Sequence, residues 1–305
     1  MNETISIKKK EINQKNLGIV YILISALFFA MMSFFVRMSG DLPTMQKAFF
    51  RNFVAALVSG IMLLRSKEGF KIKKEGLPFL LLRASLGTIG IYCNFYALDH
   101  MNISDASMLN KLSPFFAVIM SIFILKEKAN GFEWMTICVA FIGALFVVKP
   151  SFDVEVIPAL IGFLGGFCAG TAYTYVRKLG TMGERGPVIV MFFSMFSCMV
   201  CLPKVLFDFH KMTWLQLIYL LLAGTCAAVG QICITTAYSK APAKEISVFD
   251  YANVIFTAML GWIFLSQCPD KFSIIGYVII IGAAIIKWKH NNRNIIRNSD
   301  GGNDK

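Results

Sequence analysis

The 305-residue sequence has 56% hydrophobic residues, 16% charged residues and a mean hydropathy of +0.63. Soluble proteins carry about 25% charged residues, so this composition excludes a water-soluble globular protein. The formal charge of +12 would favour nucleic-acid binding in a soluble protein. Here the basic residues lie mainly on one side of the predicted membrane bundle, so we expect no nucleic-acid role.

Ten mainly apolar stretches follow one another along the chain, separated by short connections that are polar or marked by Gly and Pro. A helix needs roughly 20 apolar residues to cross a bilayer. The first stretch follows lysines, as a signal peptide would, but it has no clear cleavage site and should remain as a helix. The predicted spans 1 to 10 are 17–36, 44–64, 76–98, 103–125, 131–148, 156–176, 187–206, 213–237, 245–266 and 272–288. We predict an all-α, polytopic membrane protein.

The basic residues lie mostly on one side of this predicted bundle. With the amino terminus placed inside, the inner segments hold 21 of the 30 Lys and Arg residues, and the outer segments hold six. This bias satisfies the positive-inside rule. We therefore predict a multi-pass protein of the cell inner (cytoplasmic) membrane with both termini cytoplasmic, in tails of residues 1–16 and 289–305. The basic segments should also contact anionic membrane lipids.

The second half of the sequence repeats the first at an offset of about 140 residues. Each half contains five spans, an odd number, so the two copies must cross the membrane in opposite directions. We predict two repeats, 17–149 and 156–288, in a 5+5 inverted repeat of the kind found in many secondary transporters. Matched positions include Arg37 and Arg177, Gly40 and Gly180, Asp105 and Glu245, Ser107 and Ser247, and Phe116 and Phe256.

Short motifs within the two repeats carry a family resemblance. The first half contains Tyr96-Ala97-Leu98, Ser104-Asp105-Ala106-Ser107, Pro114-Phe115-Phe116, Lys126-Glu127-Lys128, Trp134 and Gly143. The second half contains Ala237-Tyr238, Ala241-Pro242-Ala243, Asp250-Tyr251, Gly261 and Pro269-Asp270. Both sets resemble the EamA-type domain of the drug/metabolite transporter superfamily, over nearly all of 17–288. The resemblance implies a ten-helix carrier that moves metabolites or amino acids without ATP hydrolysis.

Ionisable residues inside the spans are the first candidates for a binding site, because a charge in the bilayer interior is costly. These residues are Arg51 in span 2, Arg83 in span 3, Lys111 in span 4 and Asp250 in span 9. Spans 4 and 9 are repeat mates, so the pseudo-two-fold axis should bring Lys111 and Asp250 together. The two residues form either a central site for substrate or proton, or an ion pair that only locks the halves. Arg51 and Arg83 either bind substrate or snorkel to the membrane surface.

Neutral polar residues of neighbouring spans complete the predicted substrate-binding set: Asn94, Asn110, Ser113, Gln231, Thr235, Tyr251 and Asn253. Three cations with one carboxylate favour an anion or a zwitterion, such as an amino acid or a nucleotide-like metabolite. Proton coupling through Asp250 is a hypothesis. Tyr173 and Tyr175 in span 6 are secondary aromatic candidates.

Glycine and proline mark two further features of the spans. Gly162, Gly166 and Gly170 recur at four-residue spacing in span 6 and predict a smooth face for close helix packing. Pro114 in span 4 leaves a carbonyl without its helical partner and can kink the span. Such a kink either serves as a gate or only sets the shape of the helix.

The sequence contains no catalytic constellation. Its three histidines lie in or beside predicted connections, and its eight cysteines lie almost entirely in apolar spans, so we predict no catalytic residue, metal or cofactor. No Walker motif is present, which argues against ATP drive. We predict a secondary transporter of a small polar metabolite, monomeric or homodimeric, that works by alternating access. A membrane-embedded enzyme and a passive channel are the alternatives.

The predicted topology is tested by cysteine labelling of the variants Asn2→Cys and Asn303→Cys with a membrane-impermeant maleimide. Because both tails are predicted to be cytoplasmic, both sites should react in lysed cells and not in intact cells. Labelling of one site alone in intact cells would contradict an even number of spans.

Overall fold

The computed structural model describes residues 2–67, 69–100, 109–148, 156–265 and 270–300. Within these ranges the chain forms helices joined by short turns and contains no β-strand. Eight of the described helices are long and apolar enough to cross a membrane, by length and composition, and two shorter apolar helices complete the bundle of ten. The predicted all-α, ten-helix fold is confirmed.

The helices follow the predicted spans in order. α1 to α8 correspond to spans 1 to 8, α9 and α10 together form span 9, and α11 is span 10. The predicted residues 103–108, 149, 266 and 301–305 lie outside the described ranges. The bounds are α1 Asn2–Met38, α2 Thr44–Arg65, α3 Leu77–His100, α4 Ser113–Leu125, α5 Gly131–Val148, α6 Val156–Thr181, α7 Gly186–Phe207, α8 Trp214–Lys240, α9 Ala243–Ile246, α10 Ala252–Leu265 and α11 Lys271–Asp300.

The packing between the two halves follows a pseudo-two-fold axis. Helix α1 packs against α8, and its repeat mate α6 packs against α3. Likewise α4 packs against α6, while α10, the repeat mate of α4, packs against α1. The pairs α2–α7 and α5–α11 each join two repeat mates. Every one of these contacts has a counterpart with the halves exchanged, as an inverted repeat requires.

The closest crossings use small residues at equivalent positions. Where α1 crosses α8, Ser25 Oγ donates a hydrogen bond to Gly230 O at 2.9 Å. Where α6 crosses α3, a Cβ on Gly165 would lie 3.4 Å from Gly90 O. Ser25 and Gly165 are 140 positions apart, as are Gly90 and Gly230. The crossing of α1 with α8 is therefore repeated by the crossing of α6 with α3, in the opposite direction across the membrane.

The glycine face of α6 packs closely against span 4, as predicted. A Cβ on Gly166 would lie 2.6 Å from Leu109 O, and one on Gly170 would lie 2.5 Å from Ser113 O. Gly162 faces the Leu109 side chain in the same way. Since these contacts involve backbone as well as side chains, glycine is needed there to let α6 approach the middle of span 4.

Spans 4 and 9 are not continuous helices, which corrects the prediction of unbroken helices over 103–125 and 245–266. Lys111 and Leu112 form a turn before α4 begins at Ser113. In span 9, residues Ser247–Tyr251 form a 3-10 helix between α9 and α10. Average hydropathy does not report such local changes of hydrogen bonding. The two breaks fall at equivalent positions of the repeat.

Pro114 also has a role different from a mid-helix kink. It lies in the first turn of α4. A proline is tolerated there because the N–H that it lacks would have no helical acceptor. Pro114 thus helps α4 to begin directly after the break in span 4.

Gly170→Ala should lower the stability of the protein, because the added methyl group meets the Ser113 and Ala117 backbone. We expect a loss of about 1–3 kcal/mol, typical of overpacking, and a lower midpoint of thermal unfolding in detergent. Gly282→Ala is the matched control, since a Cβ on this helical glycine meets nothing within 4 Å. Equal midpoints for the two variants would contradict close packing at Gly170.

Candidate functional site

The two broken spans meet at Lys111, in the middle of the bundle. Lys111 Nζ donates a hydrogen bond to Asn253 Oδ1 at 2.7 Å, and Asn253 Nδ2 donates to Ala26 O of α1 at 2.9 Å. The Tyr251 hydroxyl donates to Lys111 O at 3.0 Å. A broken helix leaves backbone carbonyls without helical partners. Here the side chains of one repeat bind the broken backbone of the other.

Asp250 directly precedes Tyr251 at this junction, and its carboxylate makes no hydrogen bond or salt bridge with another described residue. Lys111 and Asp250 therefore belong to the same junction, and their joint role in binding stays a prediction. No salt bridge joins the two side chains in the described ranges, and Lys111 is hydrogen-bonded to Asn253 instead. The alternative of a Lys111–Asp250 ion pair that locks the halves is therefore not what the structure contains. Both side chains are half-buried.

Arg51 and Arg83 are the least compensated charges of the described bundle interior. Arg83 is 3% exposed, and its Nε and Nη1 atoms have no hydrogen-bond partner in the structure. Arg51 is half-buried, and its Nε atom is likewise buried and unpartnered. The Arg83 Cζ atom lies 4.1 Å from the centroid of the Phe193 ring, a cation–π contact. Arg83 therefore points into the protein and does not reach the membrane surface.

A pair of tyrosines connects the arginines to the carboxylate. The rings of Tyr173 on α6 and Tyr238 on α8 stack with centroids 5.0 Å apart and an interplanar angle of 6°. Tyr173 interacts electrostatically with Arg51, Arg83 and Asp250. Tyr175 instead stacks on Phe79, with ring centroids 6.1 Å apart. Tyr238 and Phe193 were not among the predicted site residues.

Helix α8 supplies two further polar atoms without partners. Gln231 is 5% exposed and Thr235 is fully buried, and neither Gln231 Nε2 nor Thr235 Oγ1 has a hydrogen-bond partner in the structure. Buried polar atoms are normally satisfied, so such groups are candidates for contact with a ligand. The predicted residues Asn94, Asn110 and Ser113 make no side-chain hydrogen bond within the described part of the chain, and their role stays a prediction.

A cavity of about 700 Å³ lies at the end of the bundle opposite the chain termini. Tyr92 lines this cavity and donates a hydrogen bond to Cys201 Sγ at 3.4 Å. Its lining residues are Pro43, Thr44, Met45, Gln46, Tyr92, Cys93, Tyr96, His100, Ile161, Lys204, Val205 and Asp208.

Ion pairs gather at the other end of the bundle, where both termini lie. Lys15 of α1 pairs with Glu245 of α9 at 2.9 Å. Glu133 of α5 lies 3.6 Å from Lys287 of α11 and 3.9 Å from Lys244 of α9. Lys287 is fully buried. These contacts tie the first and last helices together on one side of the bundle.

Comparison with known proteins identifies relatives along the whole bundle. A family profile described as the EamA-like transporter family matches residues 16–149 and 156–287. The pseudopaline exporter CntI of Pseudomonas aeruginosa is 32% identical over 271 residues, which are 88% of this chain and 94% of that protein. The riboflavin transporter of Vibrio cholerae is 28% identical over 215 residues, or 68% of this chain and 71% of that protein.

A solved crystal structure has the same fold. It superimposes with a TM-score of 0.80 at 12% sequence identity, over 90% of this chain and 97% of that chain. At this identity the likeness supports the arrangement of the helices and not a shared substrate.

Tyr251→Phe should weaken the junction between the repeats, because it removes the hydrogen bond to Lys111 O. The expected loss is about 1 kcal/mol of stability, read as a lower thermal midpoint in detergent. Tyr219→Phe is the control, since its ring stacks on Phe35 and a phenylalanine preserves that contact. If Tyr251→Phe melts at the wild-type temperature, the hydroxyl does not stabilise the break in span 4.

Proposed function

The chain belongs to the EamA-like transporter family and is a membrane transporter, not an enzyme, and we propose that it carries a small polar metabolite by alternating access. The proposed substrate is an amino acid, another zwitterion or a nucleotide-like compound with an acidic group. The protein is proposed to lie in the cytoplasmic membrane with both termini in the cytoplasm.

One observation carries this proposal: buried guanidinium nitrogens of Arg51 and Arg83 lack hydrogen-bond partners inside the described bundle. Planar guanidinium groups are well suited to carboxylates and phosphates. Asp250 can bind a positively charged group of the same substrate, because its carboxylate forms no salt bridge with the described residues. The combination favours a zwitterion or an anion over a simple cation.

The distribution of contacts along the bundle supports alternating access. The cavity lies at the end opposite the termini, while Glu245 and Glu133 pair with lysines at the terminal end. An inverted repeat supplies the means to reverse this arrangement, since the halves can exchange their conformations about the central site. Spans 4 and 9, which are broken at that site, resemble the discontinuous helices of many secondary transporters.

The relatives support an organic metabolite as the cargo. They include an exporter of pseudopaline and a transporter of riboflavin. Both names describe movement of a small organic molecule, and only one of them specifies export. We propose that this chain also carries a small organic molecule. Transport assays will distinguish import from export.

Uptake of a panel of labelled metabolites into proteoliposomes tests the central site. At least one zwitterionic or anionic compound should enter, and Lys111→Ala and Asp250→Asn should each reduce its uptake about tenfold or more, as expected when a charged contact is lost. Lys74→Ala, at an exposed position outside the bundle interior, is the control. Wild-type uptake by both central variants would rule out this site.

The same assay tests proton coupling. If Asp250 carries the coupled proton, an imposed pH gradient should stimulate wild-type uptake and leave the residual uptake of Asp250→Asn unchanged. Equal stimulation of both proteins would assign the proton to another group.

A further inference from the structure

The charges of the central site do not balance. Among the described residues, the proposed site contains Arg51, Arg83, Lys111 and one carboxylate, Asp250, so these four groups sum to a net charge of about +2 when all are ionised. Lys111 and Asp250 offset one another electrostatically. Neither arginine forms an ion pair with a described carboxylate. Two guanidinium charges are therefore left without counter-charge.

Unpaired charges of this kind are unusual in the interior of a membrane protein. An uncompensated cation in a low-dielectric region costs several kcal/mol, and such residues normally pair with one another or with backbone carbonyls. Arg83 is 3% exposed and still leaves two nitrogens unbound. No carboxylate of the described residues pairs with either arginine, so both guanidinium groups are available to a negatively charged ligand.

Arg83 is held in one place to receive such a molecule. Its guanidinium lies against the Phe193 ring. At Gly87, one turn along α3, an added Cβ would collide with both Arg83 Nη1 and the Phe193 ring, so glycine leaves the space that this arrangement occupies. A pre-positioned guanidinium loses little freedom when it binds an acidic group.

Arg51 on α2 and Arg83 on α3 both lie beside α7, against which the two helices pack. The Arg83 guanidinium contacts Phe193 of α7, and Cys198 of the same helix donates to the carbonyl of Phe49, two residues before Arg51. Two like charges held this close repel, and a ligand with one acidic group offsets only one of them. A ligand with two acidic groups offsets both.

We propose that the transported compound carries two acidic groups, one for Arg51 and one for Arg83, so that the substrate class is a dicarboxylate or an amino diacid. This inference rests on the proposed function and narrows its substrate. An amino group on the same compound is placed against Asp250. The unpartnered donor Gln231 Nε2 on α8 is available to the oxygen atoms of such a ligand.

Binding of paired probes to the purified full-length protein in nanodiscs tests the inference by calorimetry. Glutarate is compared with its monoamide, and L-glutamate with L-glutamine, so that each pair differs by one carboxylate at nearly constant size. The diacid of each pair should bind about tenfold more tightly or better, as expected for one charge-assisted contact. Arg51→Gln and Arg83→Gln should each reduce that preference to about twofold or less.

Two further variants separate charge recognition from folding. Arg65→Gln, at the exposed end of α2, should keep the full preference for diacids. Arg83→Lys preserves the charge without the planar group and should retain part of the preference. If the Arg→Gln variants do not fold, the affinities of wild-type protein for the acid and the amide of each probe pair still test the proposed preference for diacids.

The inference is overturned if wild-type protein binds acid and amide equally, or binds neither up to about 10 mM, a concentration that detects millimolar affinity. It is also overturned if Arg51→Gln and Arg83→Gln retain the wild-type preference. Uptake of monoacid zwitterions without a diacid preference would leave the transporter proposal standing. A diacid preference in binding without uptake of any compound would support the site and contradict the proposed transport.

Discussion

Polar groups inside a bilayer must find their partners within the protein, and the centre of this molecule is organised by that requirement. Spans 4 and 9 interrupt their helices, which frees backbone groups far from water. Tyr251 binds the Lys111 carbonyl of the opposite repeat, and Asn253 joins Lys111 to Ala26 of α1. The break in span 4 is thus stabilised by side chains of the second repeat. The first five-helix half alone would lack the Tyr251 hydroxyl that binds the Lys111 carbonyl.

The sequence was sufficient to predict the features that depend on average hydropathy and on the odd number of spans in each repeat. Ten apolar stretches and a common offset were sufficient for the ten-helix inverted repeat, and the alignment of Lys111 with Tyr251 placed Lys111 close to Asp250. The glycines of α6 also pack as expected. These features follow from composition and spacing, which a sequence displays directly.

Other features depend on local geometry, which hydropathy does not encode. The breaks in spans 4 and 9 coincide with a few polar residues, among them Lys111 and Asp250, but hydropathy averaged over a whole span does not resolve them. The bond from Lys111 to Asn253, in preference to Asp250, depends on side-chain direction across two helices. Tyr238 and Phe193 contribute ring faces, and aromatic residues are too common in membrane spans to be singled out by type. Of the site's aromatic groups, Tyr173 and Tyr251 were among the candidates.

The two repeats have diverged where α1 crosses α8 and α3 crosses α6. Ser25 donates a hydrogen bond to Gly230, but Gly165 at the equivalent position has no hydroxyl to offer Gly90. If the halves exchange conformations during transport, only one of the two crossings holds this bond. A hydrogen bond contributes about 0.5–1.5 kcal/mol, which corresponds to a ratio of roughly 2 to 13 between two states. If the Ser25–Gly230 bond forms in only one of two exchanged conformations, this single serine breaks the energetic symmetry of the duplicated protein and favours one orientation of the empty carrier.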